Sequence, residues 1–107
     1  MELRIYTDEQ GLAPYDQWLD ALKDIRARAF IRARIERVRA GNFGDSKPVR
    51  DGVMELRIDH GPGYRVYLSK QGPVLVLLLC GSDKDGQDRA IKLAIDYLKD
   101  WKRRGKP

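Results

Sequence analysis

The stretch from residue 53 to residue 67 constrains the fold most, because its pattern predicts one β-hairpin whose two faces differ in chemistry. Side chains alternate along a strand. Three apolar side chains therefore share a face that turns toward a core: Met54, Leu56 and Ile58. Glu55 and Arg57 share the opposite face, which we expect to meet open solvent. The run His60-Gly-Pro-Gly has the residues that favour a turn between the two strands.

Two helices are predicted ahead of this hairpin. Leu3 to Tyr6 alternate as a first strand, and Pro14 follows at a position typical of a helix start. The first helix carries one apolar stripe at Tyr15, Trp18, Leu19 and Leu22. Asp24 is suited to cap a second helix, and Gly41-Asn42 to end it. The second stripe is Ala27, Ile31, Ile35 and Val38.

The rest of the chain predicts a small sheet and a last helix. Hairpin strands are expected at 53–59 and 63–69, with a short strand at 49–50 and an apolar strand at 74–80. A final helix after Gly81 has one apolar face, formed by Ile91, Ala94, Ile95, Leu98 and Trp101. We therefore expect an α+β fold: a small twisted antiparallel sheet, an N-terminal helical hairpin packed on it, and a C-terminal helix.

Length and composition narrow the class of protein. A chain of 107 residues suits a single domain spanning 1–107. The 21 Lys and Arg against 16 Asp and Glu give a net charge of +5, which favours an anionic partner, either nucleic acid or an acidic protein segment. One cysteine, Cys80, excludes an internal disulfide and suits a reducing cytoplasm. The N-terminus lacks the layout of a signal peptide, and no apolar run approaches the ~20 residues of a membrane span.

Three cations are the best candidates for chemistry on RNA. Arg57 and Arg65 project from the hairpin, and Lys84 follows the apolar strand. Arginine keeps its charge at every relevant pH and matches phosphate oxygens with a planar fork, so these residues suit stabilisation of a transition state. Each such donor contributes on the order of 3–4 kcal/mol. Glu55 is either a general base beside them or one half of a structural pair with an arginine.

Other residues are predicted to hold RNA. Tyr67 either stacks on a base or packs in the fold, and Gln87 either reads a base edge or caps the final helix. Lys47 and Arg50 are also expected to contact RNA. The six arginines of the second helix are either a solvated face or further phosphate contacts. His60 lies in a turn and is not expected to be catalytic.

Several other chemistries are not favoured. One His and one Cys cannot supply a nucleophilic dyad or a structural zinc site, and no glycine-rich phosphate loop precedes a helix. The aspartates at 83, 85 and 88 lack the length and terminal glutamate of a calcium loop. We therefore expect neither a metal nor a cofactor.

Several motifs together resemble the HigB-like "addiction module killer" branch of the RelE/ParE toxin superfamily. They are Gly41-Asn-Phe-Gly-Asp, Gly52-Val-Met-Glu-Leu-Arg-Ile, Gly61-Pro-Gly-Tyr-Arg-Val-Tyr, and Asp83-Lys84 with Gln87. The resemblance spans nearly the whole chain and implies a RelE-like fold with a concave basic face for messenger RNA. Arg65 then matches a phosphate-contacting arginine, Arg57 falls near a strand lysine, and Lys84 falls near a second basic catalytic position.

This chain departs from that family at two places. Glu55 stands where RelE is basic, and the region around Ala90 lacks the tyrosine or histidine of some members. The resemblance implies a type II toxin that cuts mRNA, usually on the ribosome, and is neutralised by a cognate antitoxin, often with a helix-turn-helix. The alternatives are a ParE-like toxin that inhibits DNA gyrase without cleaving RNA, and a degenerate nucleic-acid-binding module.

Overall fold

The computed structural model describes residues 1–107 as one five-stranded sheet with helices on both of its faces. The strands are β1 (Glu2–Ile5), β2 (Ser46–Arg50), β3 (Val53–Ile58), β4 (Tyr64–Gln71) and β5 (Leu75–Asp83). The helices are α1 (Pro14–Ala21), α2 (Ile25–Arg39) and α3 (Gln87–Arg103). No helix combines the length and the apolar composition needed to cross a membrane. The predicted α+β class is confirmed.

The sheet is mixed, so the prediction of a wholly antiparallel sheet is wrong. Its strand order is β1-β5-β4-β3-β2, and β1 runs parallel to β5 while the other neighbours are antiparallel. Short turns join β2 to β3, β3 to β4 and β4 to β5, and a short turn imposes antiparallel pairing. No such turn joins β1 to β5, because both N-terminal helices and three strands separate them in the chain.

The helical hairpin packs on one face of the sheet, as the two apolar stripes predicted. Tyr15 and Leu19 of α1 join the buried stripe of α2 in one core. The sheet contributes Leu56, Ile58, Tyr64, Val66, Leu68, Val76 and Leu78. Trp18 and Leu22 are half-buried and pack against this core. The prediction that Met54, Leu56 and Ile58 face a core is therefore confirmed, although Met54 is only partly buried.

The last helix covers the other face of the sheet. The α3 residues Ala90, Ala94, Ile95, Leu98 and Trp101 are all buried. Beneath them lie Val53, Tyr67, Leu77, Leu79 and Cys80 of the sheet. The hairpin face that carries Glu55 is consequently an interior surface along most of its length, and the prediction that this face meets open solvent is wrong. Only the end of this face that carries Arg57, beyond the first turn of α3, is open to solvent.

Gly81 allows Trp18 to lie directly against β5. A Cβ atom at position 81 would stand 2.2 Å from the Trp18 ring, a distance that no packed core accommodates without movement. The backbone at Gly81 does not have positive φ, so steric contact alone selects glycine here.

We expect Gly81→Ala to destabilise the fold. Displacing the Trp18 ring is overpacking, which costs about 1–3 kcal/mol and lowers the Tm by several degrees in a chain of this size. Gly86→Ala is the matched control, since its φ is −88° and its added Cβ would meet its neighbours at 3.5 Å or more. Thermal melts compare the two variants with the wild type. Equal melting of both variants would contradict this account of Gly81.

Asp24 caps α2 as predicted. Its Oδ1 accepts hydrogen bonds from the backbone N–H groups of Arg26 at 2.9 Å and Ala27 at 3.2 Å. Its Oδ2 lies 3.1 Å from Nε2 of His60. The Ala27 backbone donor, with smaller help from the His60 side chain and from Arg26, lowers the pKa of the Asp24 carboxyl.

The lowered pKa of Asp24 predicts a pH dependence of stability. A carboxylate whose pKa is depressed in the folded state stabilises the protein above its unfolded pKa, and this contribution is lost as the pH falls from about 4 through the folded pKa. Asn keeps a capping oxygen but does not titrate. We therefore expect acid to reduce the stability of the wild type more steeply than that of Asp24→Asn in urea titrations across pH 2–5, and parallel curves would refute the assignment.

Candidate functional site

Three cationic side chains line one open groove at the end of the sheet. The groove has a volume of about 480 Å³ and is walled by β3, β4, the turn between them and the segment after β5. Arg57 of β3, Arg65 of β4 and Lys84 contribute its positive charge. Asp45 and Asp59 are its carboxylates. The three residues predicted to act together on a phosphate are thus brought together by the fold.

Strand register places these cations side by side. Arg57 and Arg65 are directly opposite each other in the β3–β4 ladder, and Ser82 is the partner of Arg65 in β5. Lys84 is anchored by its backbone N–H, which donates to the Gly63 carbonyl at 3.0 Å. Like charges directly across a ladder repel each other. Each arginine therefore needs a carboxylate partner in the free protein.

Arg65 has its carboxylate inside the protein. The Glu55 side chain has no exposed surface, and its Oε1 lies 3.3 Å from Nε of Arg65, an ion pair whose atoms are not aligned as a hydrogen bond. Its Oε2 accepts a hydrogen bond of 2.8 Å from Nε2 of Gln87, the first residue of α3. A buried charge is stable only when paired in this way. Glu55 supports Arg65 and Gln87 from beneath the groove rather than facing the solvent predicted for it.

Gln87 consequently has a structural contact in the free protein. Its amide joins the start of α3 to β3 through Glu55, and the carboxylate that accepts from the backbone N–H of the N-cap residue Gly86 belongs to Asp83. The predicted cap role is therefore wrong for this conformation. The contact of Gln87 with a base edge stays a prediction.

Tyr67 is the second predicted site residue that the structure places in the interior. Its side chain is fully buried beneath α3, so the ring is packed in the core and has no free face on which a base stacks. Its hydroxyl lies 3.3 Å from Oγ of Ser82. Burial raises the pKa of Tyr67 to about 12. The packing role, which was the open alternative for this tyrosine, is the one observed.

Lys47 and Arg50 lie outside the groove, on the edge strand β2. Lys47 is exposed and is the ladder partner of Glu55. It therefore lies one strand away from β3, which forms part of the groove wall. Arg50 lies at the far end of β2 and lines a separate, smaller groove. That second groove is shared with Val49, Asp88, Ile91 and Lys92. The two predicted RNA contacts are therefore spread along the sheet edge rather than gathered with Arg57.

His60 points away from the groove even though its turn forms part of the groove wall. Its ring lies with its centroid 4.8 Å from that of the Phe30 ring of α2, tilted by 38°, and its Nε2 pairs with Asp24. Cys80 is buried, and burial raises the pKa of its thiol to about 12. No group of three or more His, Cys, Asp or Glu side chains is arranged to hold a metal ion.

Sequence reasoning missed Asp45 and Arg34. Asp45 pairs with Arg57, with Oδ1 at 2.8 Å from Nη2. Arg34 of α2 donates to carbonyl groups of β3 and of the loop that carries Asp45. Burial lowers the pKa of Arg34, against an opposing effect of Asp45. The one available signal was the loop Gly41-Asn-Phe-Gly-Asp, in which Gly41 and Gly44 have positive φ and fix a tight path.

Comparison with known proteins identifies a relative but no activity. No family model matches the chain. An uncharacterized protein of Haemophilus influenzae is 61% identical over 80 residues, which cover 75% of this chain and 81% of the relative. Identity at this level over this length establishes common descent. The chain belongs to the same protein family as this Haemophilus influenzae protein.

Proposed function

We propose that the protein is the toxin of a type II toxin–antitoxin system and cuts messenger RNA as a metal-independent endoribonuclease. In this proposal it has a RelE-like fold of the HigB-like branch, acts in the cytoplasm on mRNA held by the ribosome, and is neutralised by a cognate antitoxin with a helix-turn-helix. The proposal combines the motif resemblance with the chemistry of the groove.

The observation that carries the proposal is the convergence of Arg57, Arg65 and Lys84 on one groove. A site open to solvent with three cations from three adjacent segments fits an anion with several oxygens. The side chain of Arg57 is 41% exposed and that of Arg65 is 15% exposed. Both arginines therefore line the groove, with Arg65 held from beneath by Glu55 and Arg57 held from the rim by Asp45. A surface that binds only a protein needs no such set of three cations lining one groove.

Cleavage needs no metal if the 2′-hydroxyl of the RNA attacks the adjacent phosphorus. The bond from the 2′ oxygen to phosphorus forms as the bond to the 5′ oxygen breaks, the attacking hydroxyl loses its proton and the leaving oxygen gains one. Extra negative charge develops on the phosphoryl oxygens during this step. Donors already aimed at those oxygens lower the barrier without reorganisation, which is the role we assign to Arg57, Arg65 and Lys84.

The neighbouring residues take supporting roles in this scheme. Glu55 holds Arg65 from beneath, and Gln87 holds Glu55 through the hydrogen bond described above. Lys47 and Arg50 lie along β2 where the phosphates of flanking nucleotides would pass. Their charge adds affinity that weakens as salt rises.

We expect Arg65→Ala and Lys84→Ala each to reduce RNA cleavage by about 10²–10³, because each removes one donor from the transition state. The measurement is primer extension on cellular mRNA within minutes of induced expression, where the wild type should produce cuts inside translated frames. Arg103→Ala is the control, since Arg103 is exposed at the end of α3 and bonds only to Glu9 and Asp100.

Thermal melts of the purified variants separate loss of function from loss of fold. If both Arg65→Ala and Lys84→Ala have the Tm of the wild type and still cleave RNA fully, the active site lies elsewhere. Growth arrest with DNA damage and no early mRNA cuts would point instead to a gyrase inhibitor and overturn the nuclease proposal.

The chemistry of the new RNA ends gives a second test. Attack by the 2′-hydroxyl leaves a 2′,3′-cyclic phosphate on the upstream fragment and a 5′-hydroxyl on the downstream fragment. We therefore expect adaptor ligation to the upstream ends only after enzymatic removal of that phosphate. Direct ligation to a free 3′-hydroxyl would contradict 2′-hydroxyl attack.

A further inference from the structure

Arg34 ties α2 to the rim of the groove. Its Nη1 donates to the Arg57 carbonyl at 2.5 Å, and its Nη2 donates to the carbonyls of Phe43 at 3.0 Å and Asp45 at 3.2 Å. One guanidinium thus joins the end of β3 to two residues of the loop after α2. The planar fork of arginine makes this possible, and lysine, a single ammonium on a flexible stem, does not reproduce it.

The loop held by Arg34 presents Asp45 to Arg57. Oδ1 of Asp45 accepts from Nε of Arg57 at 3.2 Å and from Nη2 at 2.8 Å. The backbone N–H of Arg57 also donates to the Asp45 carbonyl, at 2.9 Å. A Cβ atom at Gly44 would stand 3.1 Å from Nη2 of Arg34. The loop therefore follows one close path around the Arg34 fork.

We infer that Arg34 and Asp45 are positioning residues, which fix the direction in which the Arg57 guanidinium enters the groove. Asp45 occupies Nε and Nη2, while Nη1 of Arg57 makes no hydrogen bond and is left for a phosphate oxygen. Without Asp45, repulsion from the facing Arg65 and the freedom of a long side chain would move Arg57 out of line. This inference rests on the proposed function for the identity of the anion.

A competing role for Asp45 predicts the opposite result. If the carboxylate only masked Arg57, its removal would expose a stronger cation, and both RNA affinity and cleavage would rise. If Asp45 instead positions Arg57, its removal affects RNA affinity and cleavage differently. Removal of the carboxylate leaves the groove more positive, so KM does not rise, while the misplaced guanidinium lowers kcat.

The test measures kcat and KM for cleavage of a defined mRNA on translating ribosomes. For Asp45→Ala we expect kcat to fall by about 10–100-fold, as misplacement of a catalytic group by 1 Å does, with KM unchanged or lower. Asp59→Ala is the control for loss of negative charge alone: Asp59 lines the same groove but makes no hydrogen bond or ion pair through its side chain, so its removal should affect KM and leave the orientation of Arg57 unchanged. For the helix, Arg34→Lys should behave like Asp45→Ala, and Arg37→Lys should behave like the wild type.

A double-mutant cycle shows whether Asp45 acts through Arg57. In the Arg57→Ala background, Asp45→Ala should cause no further loss of kcat. An equal loss in both backgrounds, a rise in kcat for Asp45→Ala, or a loss for Asp59→Ala of the same size would each overturn the inference.

NMR on the free protein separates this inference from the proposed function. The Nε–H of Arg57 should be protected from exchange with water in the wild type and in Asp59→Ala, and lose that protection in Asp45→Ala and Arg34→Lys. If the wild type shows this NMR pattern but does not cleave RNA, the proposed nuclease function is wrong, while the positioning of Arg57 by Asp45 and Arg34 is upheld. Loss of protection in neither variant would overturn the positioning role itself.

Discussion

The apolar strand β5 determines how the rest of the chain is arranged. Successive side chains of a strand face opposite sides of a sheet, and in β5 both sides are apolar: Val76 and Leu78 face the helical hairpin, while Leu77 and Leu79 face α3. Each such side chain contributes about 1.5–3 kcal/mol when fully buried, so neither face can be left in water. The last helix must therefore cross the second face, and its first turn comes to lie beside the groove.

Covering the second face gives the groove its electrostatic character. Glu55 lies under α3 with no exposed surface, where an unpaired carboxylate would be costly. Arg65 on one side and Gln87 on the other satisfy it. The polar contact that fixes an arginine of the groove is thus the same contact that lets the helix close over a charged residue. Core packing and the candidate site depend on each other at this point.

Periodicity in the sequence predicted the elements but not which surfaces stay open. The stripes of α1 and α2, the Asp24 cap and the hairpin follow from local spacing, and so does the approach of Arg57 to Arg65. The alternation Glu55, Arg57 is typical of a solvated face, and the stripe of α3 does not specify which face it covers. Burial of Glu55 and Tyr67, like the parallel pairing of β1, arises from tertiary packing. The Arg34 and Asp45 contacts depend on loop geometry that spacing does not encode.

The ion pairs that hold the two arginines of the groove differ in their exposure to solvent. Arg65 is fixed from beneath by a fully buried carboxylate, in surroundings where charges are screened little. Arg57 is fixed from the rim by Asp45, whose side chain is 55% exposed, and exposed pairs contribute only about 0–1 kcal/mol and weaken in salt. Because Asp45 is weak as a single pair, its orienting effect depends on Arg34 holding the loop in place. Both arginines are therefore held in place in the free protein, which is the condition under which hydrogen-bond donors stabilise developing negative charge without reorganisation.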